Sequence, residues 1–233
     1  MTSENTPKQR LSARHLQVVR TARYFTLGPD PGEVDQLWIA LHGYAMLAER
    51  FLRQLEPLGE RRASLIVAPE ALSRFYLETT RDGRHSQAIG ATWLTREDRE
   101  ADLADTLRYL DRLHAELAGS LRSGATVGIL GFSQGAAMAA RWVAGGATLP
   151  DQLVLWGVDP PADAMPGVAE RMQGREVTLI AGDQDPLAPS GGIEAQARAL
   201  AQKGVRARAE RFDGGHALDP GALRRLAGAG PAP

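Results

Sequence analysis

Cysteine is absent from this sequence of 233 residues. Its absence excludes disulfide bonds, thiolate-ligated metal sites and a cysteine nucleophile together. A chain without cysteine suits a reducing compartment, and its polar first residues lack the apolar stretch of a secretion signal. These two observations predict a cytoplasmic protein.

An excess of charge and long hydrophobic runs are also lacking. Lys and Arg number 27 against 28 Asp and Glu, which gives a net charge of −1. A net charge this close to zero produces no long-range electrostatic field that would attract nucleic acid, so we expect no nucleic-acid partner. The longest apolar runs, such as residues 37–41 and 153–156, are far shorter than the roughly 20 residues of a membrane helix. The sequence therefore predicts no membrane span.

Short apolar runs alternate with amphipathic stretches through the interior of the chain. This alternation is typical of βαβ units and predicts an α/β fold with a mainly parallel sheet. The predicted strands are residues 16–26, 36–41, 64–67, 125–130, 152–155, 177–181 and 207–212. The first of them alternates apolar and polar residues, so it is expected at an edge of the sheet. Helices are predicted over 47–60, 96–117, 134–144 and 193–203.

No linker, charge block or internal repeat divides the chain. We expect a single domain over residues 13–226, with a flexible N-terminal segment (1–12) and a flexible C-terminal tail (227–233). One connection is long, because about 25 residues with little periodicity separate the strand at 64–67 from the next helix, and loops of that length are often functional. We predict that it forms the substrate-binding wall. Its candidate side chains are Phe75, Tyr76, Leu77, His85 and Trp93, with Phe75, Tyr76 and Trp93 as the proposed substrate contacts.

Residues 131–135 read Gly-Phe-Ser-Gln-Gly, a G-x-S-x-G motif. A predicted strand leads into it and a helix of small residues follows, which is the setting of a nucleophile elbow. Gly131 and Gly135 are expected because a Cβ at either position would crowd the turn. We predict Ser133 as a nucleophile. The alternative is an ordinary strand–turn–helix junction in which the serine only caps the helix.

A serine nucleophile needs a base, and the base needs a third group that orients it. In α/β-hydrolase sheets the chain order is Ser, acid, His, and His216 is the only histidine that follows Ser133. Without the motif, His216 would be read as a surface loop residue. The preferred acid is Asp185, which follows a predicted strand and precedes Pro186 and Pro189, which stiffen the chain around it. Asp159 and Asp183 remain alternatives, and each could instead be a solvated turn residue.

An oxyanion hole would complete the site, and its two donors are expected to be backbone N–H groups. Gln134, directly after the nucleophile, supplies one candidate. Tyr44, in the loop after the strand at 36–41, supplies the other, and Gly43 would let the backbone approach. His42 is expected to brace this loop by hydrogen bonding. No metal motif is present in the sequence, and no cofactor is predicted.

Four segments together resemble a known family. LHGYA, GFSQGAAMA, AGDQDPLAP and GGH occur at 41–45, 131–139, 181–189 and 214–216, in the order found in the carboxylesterase/acyl-protein thioesterase family of α/β-hydrolases. The resemblance spans roughly residues 36–217. One departure is Ala45, which stands where the family often has a second glycine.

This resemblance implies an α/β-hydrolase fold, with a mostly parallel central sheet, helices on both faces and no separate lid domain. It implies a serine esterase or thioesterase that acts on a small-molecule ester or thioester through Ser133, Asp185 and His216, with Tyr44 and Gln134 as oxyanion donors. It also implies that a homodimer can form. Two alternatives stay open: a lactonase or peptidase on the same scaffold, and a non-catalytic member that binds a ligand in the cleft.

Overall fold

A computed structural model of the chain describes residues 11–60, 63–78 and 88–228. Its centre is a seven-stranded sheet, and a separate two-stranded hairpin lies beside it. The strands of the central sheet are β1 (Tyr24–Leu27), β2 (Gln36–Leu41), β3 (Ser64–Pro69), β6 (Thr126–Phe132), β7 (Gln152–Trp156), β8 (Glu176–Gly182) and β9 (Arg206–Phe212). The hairpin consists of β4 (Ser73–Tyr76) and β5 (Ile89–Thr92).

The strand order of the sheet is β1-β3-β2-β6-β7-β8-β9. Only β1 runs antiparallel, at one edge against β3, and every other pairing in this sheet is parallel. From β2 the chain moves outward to β3 on one side, and it later returns to place β6 on the other side of β2. The place where successive connections leave in opposite directions is called a topological switch point. In open parallel sheets, ligands bind there, outside the carboxyl ends of the strands. The ends of β2 and β6 are therefore where a site is expected.

Helices cover both faces of the sheet. Their bounds are α1 (Ala48–Arg53), α2 (Arg99–Ala118), α3 (Gln134–Gly145), α4 (Met165–Arg171), α5 (Gly192–Ala201) and α6 (Pro220–Gly228), with short 3-10 helices at Pro31–Glu33 and Glu56–Gly59. Helices α2 to α5 pack on one face, and α1 and α6 pack on the other. No helix in the described parts of the chain has the length and apolar character needed to cross a membrane.

The central strands are buried on both sides, which explains their continuous apolar sequences. Along β2, Leu37 and Ile39 contribute to the core beneath α2 to α5. Trp38 and Ala40 contribute to the core beneath α1 and α6. The interior strands thus contribute to two hydrophobic cores. Six of the seven strands of the central sheet were predicted to within about two residues.

Three predicted elements differ from the structure. The first strand is confined to Tyr24–Leu27, because its partner β3 offers pairing only from Pro69 to Ile66, and residues 16–23 are irregular. The helix predicted over 47–60 ends at Arg53 and resumes as a 3-10 turn. Pro57 lies in that turn, and a proline disfavours helical geometry in the residue before it.

The long connection contains the β4–β5 hairpin, which was not predicted from the sequence, and helices α4 and α6 were not predicted either.

The predicted C-terminal tail begins too early. Helix α6 continues to Gly228, and Ala227 is buried against the sheet. Most of the residues predicted to be flexible, 1–10 and 229–233, lie outside the described residues, as does His85.

Candidate active site

Ser133 is the single residue between the end of β6 and the start of α3. Its backbone has φ 55° and ψ −121°, a conformation that L-residues rarely adopt and that typically costs about 1–3 kcal/mol. The turn closes because its glycines have no side chain. A Cβ on Gly131 would lie 2.3 Å from the carbonyl oxygen of Gly135, and a Cβ on Gly135 would lie 2.1 Å from that of Leu41. The crowding predicted at both glycines is confirmed.

Asp185 and His216 meet across the ends of neighbouring strands. Asp185 follows β8 in a turn and is only 4% exposed, while His216 follows β9. The Nδ1 atom of His216 lies 2.8 Å from Oδ2 of Asp185. The other carboxylate oxygen, Oδ1, accepts the N–H of Leu187 at 2.9 Å. The structure therefore places Asp185 against His216, whereas Asp159 and Asp183 are exposed residues that make no bond to it.

The imidazole of His216 lies over the carboxyl ends of the central strands. Its ring centroid is 4.9 Å from that of Phe132, the residue directly before Ser133. It also sits against Gly157, where an added Cβ would lie 3.1 Å from Cε1 of the ring. Because Asp185 occupies Nδ1, Nε2 is the nitrogen left to serve a nucleophile. The structure shows no hydrogen bond between Nε2 and the Ser133 hydroxyl, a contact that often tightens only when substrate binds.

The two predicted oxyanion donors are backbone N–H groups without an acceptor. Among the described residues, neither the N–H of Tyr44 nor that of Gln134 is hydrogen-bonded. The loop that carries Tyr44 approaches the nucleophile closely, since a Cβ on Gly43 would lie 3.4 Å from Cβ of Ser133. Two unpaired N–H donors beside one serine are suited to a developing negative charge on a carbonyl oxygen.

His42 braces the loop, as predicted. Its Nε2 accepts the N–H of Ala71 at 3.1 Å, so the proton resides on Nδ1, which donates to the carbonyl of Gly43 at 2.8 Å. Burial lowers the pKa of His42, with partial opposition from its hydrogen bond to Gly43 and from the charge of Glu70. Because both of its ring nitrogens are engaged in hydrogen bonds, the neutral imidazole of His42 holds the loop in place.

The three predicted substrate contacts have different surroundings. The ring of Phe75 lies 5.5 Å from that of Tyr44, so it remains beside the candidate oxyanion loop. Tyr76 is exposed. Because it follows Phe75 directly in strand β4, its side chain points to the face of the hairpin opposite to that of Phe75. The prediction for Trp93 needs correction, because it is only 3% exposed and its indole N–H donates to the carbonyl of His42 at 2.8 Å. Trp93 is part of the core that supports the loop.

Gly157 is a residue of the site that was not predicted from the sequence. It has φ 68° and follows β7 directly, where it leaves room for the imidazole of His216. The signal available in the sequence was a glycine at the end of an apolar strand run, which on its own indicates only a tight turn. Among the described residues no group of three histidine or carboxylate side chains could hold a metal ion.

Comparison with known proteins gives one family and a set of similar folds. The model of a family described as serine hydrolase (FSH1) matches residues 38–219. The esterase PE8 has 23% sequence identity and a TM-score of 0.65, with 90% of this chain and 97% of the esterase covered. Acyl-protein thioesterase 2 of Zea mays has 17% identity and a TM-score of 0.65, with 89% and 97% covered.

The carboxylesterase of Bacillus cereus is similar to the same degree, with 16% identity, a TM-score of 0.65, and 89% of this chain and 92% of the carboxylesterase covered. No curated protein matches the sequence. At these identities the solved structures show the fold, and together with the sheet and helices described above they establish an α/β-hydrolase architecture.

Proposed function

This chain belongs to the serine hydrolase (FSH1) family, and from that membership we propose that it hydrolyses carboxylic esters, thioesters included, through an acyl-enzyme on Ser133. The observation that carries the proposal is the 2.8 Å contact between Nδ1 of His216 and the buried carboxylate of Asp185. A serine hydroxyl is a weak nucleophile until an oriented base takes its proton. The strained turn of Ser133 follows Phe132, whose ring lies 4.9 Å from that of His216, and this supports the assignment of nucleophile, base and acid.

In the first half-reaction, Oγ of Ser133 attacks the acyl carbon while its proton passes to Nε2 of His216. The carbonyl oxygen gains negative charge and accepts hydrogen bonds from the free N–H groups of Tyr44 and Gln134. Asp185 keeps the ring in the tautomer that has an open Nε2, and it stabilises the imidazolium that forms. The bond from the acyl carbon to the leaving oxygen or sulfur then breaks, and the leaving group takes the proton from Nε2.

In the second half-reaction, the same imidazole removes a proton from water. The hydroxide formed in this way attacks the acyl carbon, and the two N–H donors again stabilise the charged oxygen. The bond to Oγ breaks, Ser133 recovers its proton from His216, and the carboxylic acid leaves. The substrate, one water molecule and the side chains of the triad together account for every proton and electron pair.

The surface beside Ser133 favours an apolar acyl group. Tyr44, in the loop that approaches Ser133, is 60% exposed, and Leu187, two residues beyond Asp185, is 53% exposed. Phe75 lies against Tyr44 and extends the apolar rim. Contact with these side chains would remove apolar surface from water, worth about 25 cal/mol per Å². A small-molecule ester or thioester is therefore the proposed substrate, and a cytoplasmic location and a homodimer stay predictions.

The test is covalent labelling with a fluorophosphonate, which reacts with activated serines. We expect one equivalent to attach to the wild-type protein and none to Ser133→Ala. Ser190→Ala, a substitution of an exposed serine outside the site, is the matched control and should label like the wild type. Peptide mapping by mass spectrometry would place the adduct on Ser133.

Turnover of p-nitrophenyl esters of increasing acyl length completes the test. A maximum at one chain length would support an esterase and measure how much of the acyl group the rim accommodates. Absence of both labelling and turnover in the folded wild type would refute the proposal in favour of a ligand-binding member. Faster cleavage of a lactone, which is a cyclic ester, or of a peptide anilide than of any open-chain ester would favour the lactonase or peptidase alternative over the proposed substrate class.

A further inference from the structure

The side chain of Gln134 is fully engaged with the end of the β4–β5 hairpin. Its Oε1 accepts the N–H of Trp93 at 3.1 Å. Its Nε2 donates to Oγ1 of Thr92 at 2.9 Å and to the carbonyl of Leu94 at 3.1 Å. The amide thus bonds to three consecutive residues, and both its donor and its acceptor ends are used. A carboxylate of the same shape could not replace it, since it would place an acceptor against the carbonyl of Leu94.

The same end of the hairpin is bonded to the loop that carries Tyr44. The N–H of Ala45 donates to the carbonyl of Ala91 at 2.9 Å, and the N–H of Ala91 donates to the carbonyl of Met46 at 3.2 Å. On the other side of Tyr44, the indole of Trp93 holds the carbonyl of His42. The loop is therefore fixed to the hairpin both before and after its candidate donor.

These bonds are needed because the sheet does not reach either donor. The pairing of β2 with β6 ends at Leu41 and Gly131, so Tyr44 and Gln134 both lie beyond the last strand pair. Ala45 also has φ 62°, a left-handed conformation that is unfavourable for a residue with a Cβ. Such a conformation persists only where surrounding contacts determine it. Its bonds to the hairpin are those contacts.

We propose that the side chain of Gln134 is a positioning residue, which sets the spacing of the two oxyanion donors by clamping the residues 91–94 (the strut) between its own helix and the Tyr44 loop. The backbone of Gln134 offers one donor, while its side chain, through the strut, positions the other. This inference rests on the proposed hydrolase function. It predicts a defect in transition-state stabilisation, because an oxyanion forms only after attack on the carbonyl.

The test compares Gln134→Met with the wild type. Methionine has similar length and no hydrogen-bonding amide, so it removes the three bonds while the backbone donor remains. We expect kcat for a p-nitrophenyl ester to fall roughly 10- to 100-fold, with KM nearly unchanged, as for misplacement of a catalytic group by about 1 Å. Inhibition by an alkylboronic acid, a tetrahedral mimic, should weaken in proportion to kcat/KM. Gln54→Met, which alters the exposed glutamine directly after α1, is the control and should match the wild type.

Thr92→Val provides a second variant if Gln134→Met fails to fold. It keeps the shape of a buried side chain and removes one contact of the clamp. We expect a smaller fall in kcat, again with KM unchanged. If a folded Gln134→Met or Thr92→Val variant has the same kcat and the same boronate affinity as the wild type, the inference is overturned while the hydrolase proposal stands. A wild type that is inert to fluorophosphonate and esters would instead overturn the proposed function on which it rests.

Discussion

Asp185→Asn separates the proposed triad from a mere ion pair, because the structure fixes which way the new amide must face. Each oxygen of Asp185 has one partner: Oδ1 accepts the backbone N–H of Leu187, and Oδ2 faces Nδ1 of His216. An asparagine offers one acceptor oxygen and one donor NH₂. The N–H of Leu187 can only donate, so the amide oxygen must remain on that side.

The NH₂ group would then face Nδ1 of His216, which must become an acceptor. Its proton moves to Nε2, the nitrogen that has to receive the proton of Ser133. The base is lost although every atom stays nearly in place. By analogy with the serine-protease triad we expect kcat to fall up to about 10⁴-fold, which corresponds to about 5 kcal/mol in the activation barrier. KM should change little, because the carboxylate does not touch the substrate.

The assay is steady-state hydrolysis of a p-nitrophenyl ester near neutral pH, with thermal unfolding to show that the variant is folded. Asp159→Asn and Asp183→Asn alter exposed carboxylates that do not contact His216, and both should retain wild-type kcat. A folded Asp185→Asn within tenfold of the wild type would refute the tautomer reasoning. Loss of activity in Asp159→Asn with a normal Asp185→Asn would assign the acid to the other loop.

Two further predictions concern stability. Gly135→Ala should destabilise the protein by about 1–3 kcal/mol or more in urea unfolding, since its Cβ would lie 2.1 Å from the carbonyl of Leu41. Gly145→Ala in the same helix meets only ordinary contact at 3.7 Å and should be neutral; equal effects at both positions would contradict the packing argument. Glu70→Gln should cost about 1–3 kcal/mol at pH 7, because this buried carboxylate accepts hydrogen bonds from Arg23 and Arg74. Burial opposes ionisation of Glu70, but the hydrogen bonds from the two arginines outweigh it and lower the pKa of Glu70 below 4.5. The stability advantage of the wild type over Glu70→Gln should therefore be complete above pH 4.5 and shrink as the pH falls through the lowered pKa. A stability difference that is independent of pH would refute this.

Sequence reasoning succeeded where one segment carries its own signal. The strands β2, β6 and β7 are continuous apolar runs because both of their faces are buried, and that requirement is local to each strand. The turn at Ser133 was likewise predicted from five adjacent residues. Its two glycines are required by close contacts with atoms only a few residues away or at the end of the neighbouring strand. Between residues 103 and 117, leucines recur at steps of three and four residues, and this spacing located helix α2. The helix begins at Arg99, three residues after its predicted start.

Reasoning from the sequence was weakest where distant segments decide the outcome. An aromatic residue in a long connection can face substrate or core, and Trp93 is buried only because His42 and Gln134 lie where the sheet order places them. The β4–β5 hairpin is short and partly exposed, so its apolar pattern is faint. Its pairing is visible only once both strands are positioned.

The sequence by itself determined the class of the fold and the identity of the nucleophile candidate, since burial of strands and the geometry of a tight turn restrict residue type at each position. Only the tertiary structure decided which aspartate meets His216 and how the Tyr44 loop is held. Those choices depend on the order of strands in the sheet, which brings the ends of β8 and β9 together although 31 positions separate Asp185 from His216. Contacts across such distances are selected by the packing of the whole sheet, and no single segment encodes them.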